Sequence, residues 1–128
     1  RLEPLGDSFT LVGLVGWQNN HGHHLISDGH FLFFNNGPNF TSPSTVFEVL
    51  LDETEWTATK TWEYLPDDVN SGILSDVQLL PNENCLVTFS ARGVIREVTP
   101  HGTVVQSFES TSFGYADFRT SLYGPPPR

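Results

Sequence analysis

Residues 21–36 constrain the fold of this chain more than any other stretch, because they have the pattern of a β-hairpin with an aromatic second strand. Asp28-Gly29 separates two β-prone runs, and glycine takes a positive φ without a Cβ clash, so this pair is a strong hairpin signal. The run after the turn is almost entirely Phe and Leu, which is typical of a strand buried on both faces. The run before it begins with three histidines in four residues. The hairpin is therefore predicted to be central and to carry titratable side chains at one end.

The rest of the chain predicts further strands and no amphipathic helix of appreciable length. Flanking strands are predicted at residues 9–15 and 115–122, and turns rich in Gly, Pro, Asn and Asp separate the strands between them. Those strands are predicted at residues 45–51, 57–64, 76–80, 85–89, 94–98 and 103–108. The chain is thus predicted to be all-β.

The strands fall into two units, at about residues 21–64 and 75–109, that share the same order of strands and turns. Asp28-Gly29-His30-Phe31-Leu32 in the first unit matches Asn82-Glu83-Asn84-Cys85-Leu86 in the second. A period of about 50 residues with four strands per unit is typical of β-propeller blades. A small β-sandwich built from the same strands is the alternative, and the turn-for-turn repeat favours blades.

Two blades do not close a ring, because propellers have about four to eight blades. Residues 1–128 are therefore predicted to form a partial propeller within a larger ring. The missing blades would come from a complementary fragment, from further copies of the same chain or from a cleaved remainder. The absence of methionine, even at position 1, indicates that the numbered chain begins inside a longer product or after processing.

Charge and cysteine content exclude several classes of protein. The formal net charge is −9 and the six Lys and Arg residues are spread along the chain, so a nucleic acid partner is not expected. No apolar run approaches the roughly 20 residues of a membrane span. The lone Cys85 has no partner for an internal disulfide and is predicted to be a buried thiol. Asn39-Phe40-Thr41 is an N-glycosylation sequon, which would carry sugar in a secreted eukaryotic protein.

Two stretches carry motifs that occur together in one family of proteins. Asn20-His21-Gly22, Asp28-Gly29 and Phe34-Asn35-Asn36-Gly37 are similar to a Gln-His-Asp segment, an Asp-Gly turn and a Phe-Asp-Asn-Gly ending. Residues 76–87 are similar to a later Asp-Val-Gln-x-Leu-Pro-Asn-Gly-Asn-Thr-Leu-Val segment. With these motifs, residues 17–128 resemble the C-terminal part of the arylsulfotransferase family, whose fold is a six-bladed β-propeller.

The resemblance implies transfer of a sulfuryl group from an aryl sulfate to a phenolic acceptor, with no cofactor and no nucleotide sulfate donor. A histidine in the central channel of the family takes up the sulfuryl group and passes it on, and His21 is the matching residue. Imidazole suits this role because it is a good nucleophile near pH 7 and its sulfated form remains labile. Arg119, in a matching C-terminal segment, would supply positive charge, while Asn20 and His23 would contact the substrate.

The departures from the family pattern keep a second function open. Gly22 stands where the family has Asp, and Glu83 stands where its turn has Gly, which is unfavourable if φ is positive there. Other channel residues of the family lie on blades outside this chain. A non-catalytic propeller that serves as a scaffold or protein-interaction module is therefore the alternative.

The sequence also bears on metal binding and on cellular location. His21 and His23 are expected to alternate onto one strand face, but no Cys or carboxylate stands at ligand spacing, so no metal site is predicted. The family resemblance and the single cysteine favour a secreted protein, either extracellular or periplasmic.

Overall fold

β-Strands make up most of the regular structure of the chain. The computed structural model describes residues 9–14, 16–39 and 41–119, and the described part contains nine strands, one short 3-10 turn at Ser90–Arg92 and no α-helix. The strands are β1 (Thr10–Val12), β2 (Asn20–Ser27), β3 (His30–Asn35), β4 (Thr45–Asp52), β5 (Thr57–Tyr64), β6 (Asp76–Leu79), β7 (Cys85–Phe89), β8 (Val94–Val98) and β9 (Val104–Glu109). The all-β prediction is confirmed. No helix of the described residues has the length and apolar character needed to cross a membrane.

The strands form two sheets that are consistent with propeller blades and do not close a ring. In the first sheet, β2 to β5 are antiparallel neighbours and β1 adds to β5 in parallel, giving the order β1-β5-β4-β3-β2. The second sheet is antiparallel with the order β6-β7-β8-β9. Of the flanking strands predicted from the sequence, the first is a strand at Thr10–Val12. Residues 115–119 belong to no strand, and residues 120–122 lie outside the described part.

The main hydrophobic core lies between the two sheets. Leu32 and Phe34 of β3 share a buried cluster with Phe89 of β7, and the rings of Phe34 and Phe89 meet edge to face with centroids 5.4 Å apart. Cys85 belongs to the same cluster, as predicted for a buried thiol, and its burial raises the pKa of the thiol to about 11. The other buried members are Val46, Tyr64, Val77, Val87 and Val98.

The opposite face of the first sheet carries a second apolar cluster. Phe33 packs there with Phe47, Val49 and Ala58, and the cluster is covered by residues from β1 and its connections, among them Phe9, Leu14 and Trp17. Leu32, Phe33 and Phe34 are each 4% exposed or less. The prediction that this strand is buried on both faces is therefore confirmed.

The turns that join the first two strands of each sheet differ in length, but each contains a residue with a left-handed φ at the position matched by the sequence repeat. Gly29 has φ +70° between β2 and β3, and Glu83 has φ +68° between β6 and β7. This equivalence supports the repeat seen in the sequence. It also shows that the Glu83 backbone is in the left-handed region, where a Cβ is unfavourable.

Candidate functional site

The histidine-bearing start of β2 lies against the start of β6. These two strands are the edge strands of their sheets, on the side opposite β1 and β9. A Cβ placed on Gly22 would overlap Asp76 Oδ1 and would lie 2.9 Å from the backbone nitrogen of Val77. The backbones of the two strands therefore approach each other as closely as glycine allows.

A β-bulge at Gly22 sets the direction of the histidines. His21 pairs with Phe34 and His24 pairs with Leu32, so β2 uses one more residue than β3 over this interval. Gly22 has φ +60°, which is the conformation of the first residue in a G1-type bulge. His21 and His24 consequently share the face of Phe34 and Leu32, toward the second sheet.

The same bulge turns His23 to the other face, so the expected alternation of His21 and His23 onto one face is wrong. The His23 ring stacks on Phe33 with centroids 5.7 Å apart, and Phe33 belongs to the cluster on the opposite face of the sheet. The sequence pattern assumed a regular strand, in which residues two apart lie on the same face. Among the described residues, no three His, Cys, Asp or Glu side chains are grouped to hold a metal ion.

Asn20 and His23 are in direct contact. The Asn20 side-chain amide donates a hydrogen bond to His23 Nε2 at 2.5 Å, which requires the unprotonated form of that nitrogen. Partial burial and the neighbouring His21 and His24 lower the pKa of His23 from its usual value. The neutral form of His23 is thus favoured by both the hydrogen bond and the surroundings.

His24 and Asp76 form the one contact within ion-pair distance between the described parts of β2 and β6, and it is an ion pair when His24 is protonated. His24 Nε2 lies 3.7 Å from Asp76 Oδ1, and the Asp76 side chain is only 17% exposed. Burial raises the pKa of Asp76, while the backbone N–H of Val77 and the His24 ring lower it. The charge of Asp117 raises it further. His24 Nε2 itself is buried and has no hydrogen-bond partner among the described residues.

The backbone before Asp76 is strained and is held by buried serines. Leu74 and Ser75 have φ values of +56° and +79°, which are rare for residues other than glycine. Ser75 is fully buried; its N–H donates to Ser90 Oγ and its hydroxyl to Ser71 Oγ, each at 2.9 Å. Such conformations cost of order 1–3 kcal/mol each and persist only when the surrounding structure imposes them. The network therefore fixes the start of β6.

Arg119 lies beside β6 and not in contact with His21 in the part of the chain that the structure describes. The N–H of Phe118 donates to Gln78 Oε1 at 2.8 Å, which places residue 118 beside this side chain of β6. Arg119 Nε pairs with Asp117 Oδ2 at 3.0 Å, and both side chains are well exposed. The chain therefore brings Arg119 and its partner carboxylate to the same strand that carries Asp76.

Asn39 lies in the loop between β3 and β4 and belongs to a separate part of the surface. Its side-chain oxygen accepts hydrogen bonds from the N–H groups of Thr41 and Ser42, each at 2.9 Å. Asn39 is exposed.

The comparisons with known proteins agree with this architecture. The family model described as Arylsulfotransferase (ASST) matches residues 3–111. The chain belongs to the arylsulfotransferase family. No curated protein matches this chain at a significant level.

One solved structure is similar in fold. It is a protein of unknown function from Bacteroides caccae, known from a crystal structure at 1.35 Å resolution, with a TM-score of 0.57 and 18% identity. The similarity covers 84% of this chain and 38% of the other protein, so this chain spans well under half of that protein. At this identity the likeness concerns the fold alone.

His24 and Asp76 stand out only in the structure. The sequence shows His24 as one of the three histidines that begin the first hairpin strand and Asp76 as the first residue of a predicted strand. The signal for Asp76 was its place at the head of the second unit, inside the segment that resembles the family. Its meeting with His24 depends on how the two sheets pack, which no local pattern shows.

Proposed function

We propose that this chain carries part of the active site of an arylsulfotransferase that moves a sulfuryl group from an aryl sulfate to a phenolic acceptor. The observation that carries the proposal is the meeting of the histidine-bearing bulge of β2 with Asp76 of β6 at the edges of both sheets. In a propeller, blades surround a central channel, and edge strands of this kind border it. The family match supports the reaction class.

His21 is the nucleophile in this proposal. A lone pair of its imidazole attacks the sulfur of the donor, the bond from sulfur to the phenolic oxygen breaks, and the phenol leaves with the electron pair and takes up a proton. The acceptor phenol then attacks the sulfur of the sulfated ring, the bond from nitrogen to sulfur breaks, and the acceptor's proton passes to a base. His21 regains its lone pair and is ready for another cycle.

The negative oxygens of the transferred group need positive charge or hydrogen-bond donors, as in phosphoryl transfer. Arg119 is the proposed cation, since the adjacent Phe118 is hydrogen-bonded to Gln78 of β6. Asn20 and His23 bind each other on the face of β2 opposite His21, so they are proposed to contact the substrate around the edge of this strand. The exposed pair of Arg119 with Asp117 would open when a sulfate group offers the guanidinium a better partner.

The remaining blades are proposed to come from further sequence, a complementary fragment or further copies of this chain. The partial coverage of the Bacteroides caccae protein supports a larger assembly. Native mass spectrometry of the purified protein gives the number and mass of its chains. A secreted location is proposed from the family resemblance, and sugar on Asn39 would establish a eukaryotic secretory route.

The direct test is to incubate the complete protein with p-nitrophenyl sulfate and a phenol acceptor. His21→Gln is expected to abolish release of nitrophenol, while His101→Gln, in an exposed turn between β8 and β9, is expected to leave it unchanged. Tandem mass spectrometry of the donor-treated protein should place one sulfuryl group on His21. Turnover that survives His21→Gln would show that His21 is not the nucleophile. A complete protein without turnover would favour the scaffold function.

A further inference from the structure

The pair of His24 and Asp76 joins the two sheets, and the His24 nitrogen that faces Asp76 makes no hydrogen bond among the described residues. The distance of 3.7 Å from His24 Nε2 to Asp76 Oδ1 is too long for a hydrogen bond and suits an ion pair. Nε2 is buried without a hydrogen-bond partner among the described residues, although 42% of the His24 side chain is exposed. Catalytic hydrogen bonds are often long in free enzymes and shorten when substrate binds.

We infer that Asp76 is a positioning residue that holds His24 as the general acid and base of the sulfuryl transfer, an inference that rests on the function proposed above. The nucleophile His21 does not by itself provide the proton that the leaving phenol needs or accept the one that the acceptor phenol loses. A carboxylate that binds one imidazole nitrogen leaves the other nitrogen to exchange protons, as in the Ser-His-Asp triad. Because Nε2 faces Asp76 and is buried, Nδ1 is the nitrogen assigned to the substrate.

The spacing of the two histidines fits one substrate. His21 and His24 stand opposite Phe34 and Leu32, which are two residues apart on β3 and therefore about 6–7 Å apart along the strand. A nucleophile stands about 3 Å from the sulfur, and a general acid stands about 3 Å from the leaving oxygen. These two distances and the sulfur–oxygen bond between them add up to a length similar to the separation of His21 and His24 along the strand.

The proton balance is complete with these groups. Protonated His24 donates the Nδ1 proton to the leaving phenolic oxygen as the bond from sulfur to oxygen breaks. Neutral His24 then takes the acceptor's proton at Nδ1 as the acceptor attacks the sulfated His21. Asp76 stays ionised and stabilises the charged imidazole in between, so no other co-reactant is required.

Gly22 is the residue that makes this pairing possible. The family pattern places an aspartate directly after the histidine, and this chain has glycine there. A side chain at position 22 would overlap Asp76 Oδ1. The carboxylate is thus supplied by the neighbouring sheet and reaches His24 through the space left open at Gly22.

The test compares two donors on the complete protein. p-Nitrophenol is a good leaving group that departs without protonation, while unsubstituted phenol needs a proton from a general acid. His24→Gln is expected to slow transfer from phenyl sulfate about 100-fold or more and transfer from p-nitrophenyl sulfate far less. Asp76→Asn is expected to show a smaller loss with the same preference. The ratio of the two rates does not depend on what fraction of a variant is folded.

His30→Gln is the matched control, because His30 also pairs with a carboxylate, Glu48, at 2.7 Å and lies at the far end of the same hairpin. Its ratio of rates should equal that of the wild type. Equal losses on both donors in His24→Gln would overturn the role of His24 while the transfer itself stands. A wild-type protein that turns over neither donor would overturn the proposed function and this inference with it.

An independent readout is the titration of the Asp76 carboxyl group, followed by carbon-13 NMR. Loss of the His24 ring in His24→Gln removes an interaction that lowers the pKa of Asp76, so its midpoint should move to higher pH. A midpoint that does not move would show that the pair is not coupled and would overturn the inference.

Discussion

The Asp76 carboxylate occupies the space in which a side chain on Gly22 would stand, although the two residues belong to different sheets. Position 22 therefore has two reasons to be glycine. Its φ of +60° forms the bulge that places His21 and His24 on one face, and its missing side chain admits Asp76. The glycine that the backbone of the first sheet needs at position 22 thus also gives Asp76 of the second sheet its place.

Gly22→Ala is expected to destabilise the protein by at least about 1 kcal/mol more than Gly102→Ala. Both glycines have positive φ, at +60° and +80°, so both substitutions introduce backbone strain of about 1–2 kcal/mol. No atom of the described residues lies within 4 Å of a Cβ on Gly102, whereas one on Gly22 would overlap Asp76. Urea unfolding of the two variants measures the difference.

The overlap can be separated from the strain in an Asp76→Ala background. There the carboxylate is gone, so the excess cost of Gly22→Ala should fall, although the Val77 backbone nitrogen still crowds position 22. Equal costs at the two glycines, with no coupling to Asp76, would contradict the close approach of β2 and β6.

Much of the fold was readable from the sequence because it is locally encoded. Alternation, turn residues and the repeat predicted β2 to β9 within a few residues, and the burial of Phe33 on the far face followed from the apolar run of β3. The sequence does not predict the bulge, because the comparison with the family pattern marks Gly22 only as a missing carboxylate and not as a backbone requirement. The pairing of His24 with Asp76 depends on sheet packing and lies beyond any local pattern.

Asp76→Asn is expected to change how stability depends on pH. The pKa of Asp76 is raised above the ordinary value of 3.8 chiefly by burial, so the folded state binds this proton more tightly than the unfolded state. The contribution of Asp76 to stability is therefore largest below pH 3.8 and declines as pH rises through the raised folded value. The variant should lack this decline and be at least as stable as the wild type at neutral pH.

Urea unfolding of both proteins between about pH 3 and 7 checks this sign. If Asp76→Asn gains stability and loses transfer activity, Asp76 is retained for function at the expense of stability. Parallel pH profiles for the wild type and the variant would show that Asp76 titrates as it does in the unfolded chain.

Asp68→Asn is expected to cost less than about 1 kcal/mol at neutral pH and to cost nothing in acid. Asp68 pairs with Arg96 of β8 through two hydrogen bonds of 2.8 and 2.6 Å, which lower the pKa of the carboxyl. A lowered pKa gives stability that is present above the ordinary value and lost as pH falls through the folded value. The expected loss of stability is small because the Asp68 side chain is 58% exposed.

Asp67→Asn is the matched control for this pair, since Asp67 is the adjacent, exposed carboxylate. Like Asp68→Asn, it removes one negative charge from the loop between β5 and β6. If the two substitutions cost the same and share one pH profile, the contact of Asp68 with Arg96 does not join the sheets in solution.

Glu83→Gly is expected to stabilise the protein by roughly 0.5–1 kcal/mol. Glu83 has φ +68°, where a residue with a Cβ is less stable than glycine by about 1–2 kcal/mol, and the greater freedom of glycine in the unfolded chain offsets part of the gain. Gly29, at the matching position of the repeat in the first sheet, has a similar φ of +70°. Glu83→Gln keeps the Cβ and removes the charge, so it should give little or no gain. Thermal or urea unfolding of the three proteins separates these effects, and a loss of stability in Glu83→Gly would mean that the turn does not hold Glu83 in the left-handed conformation.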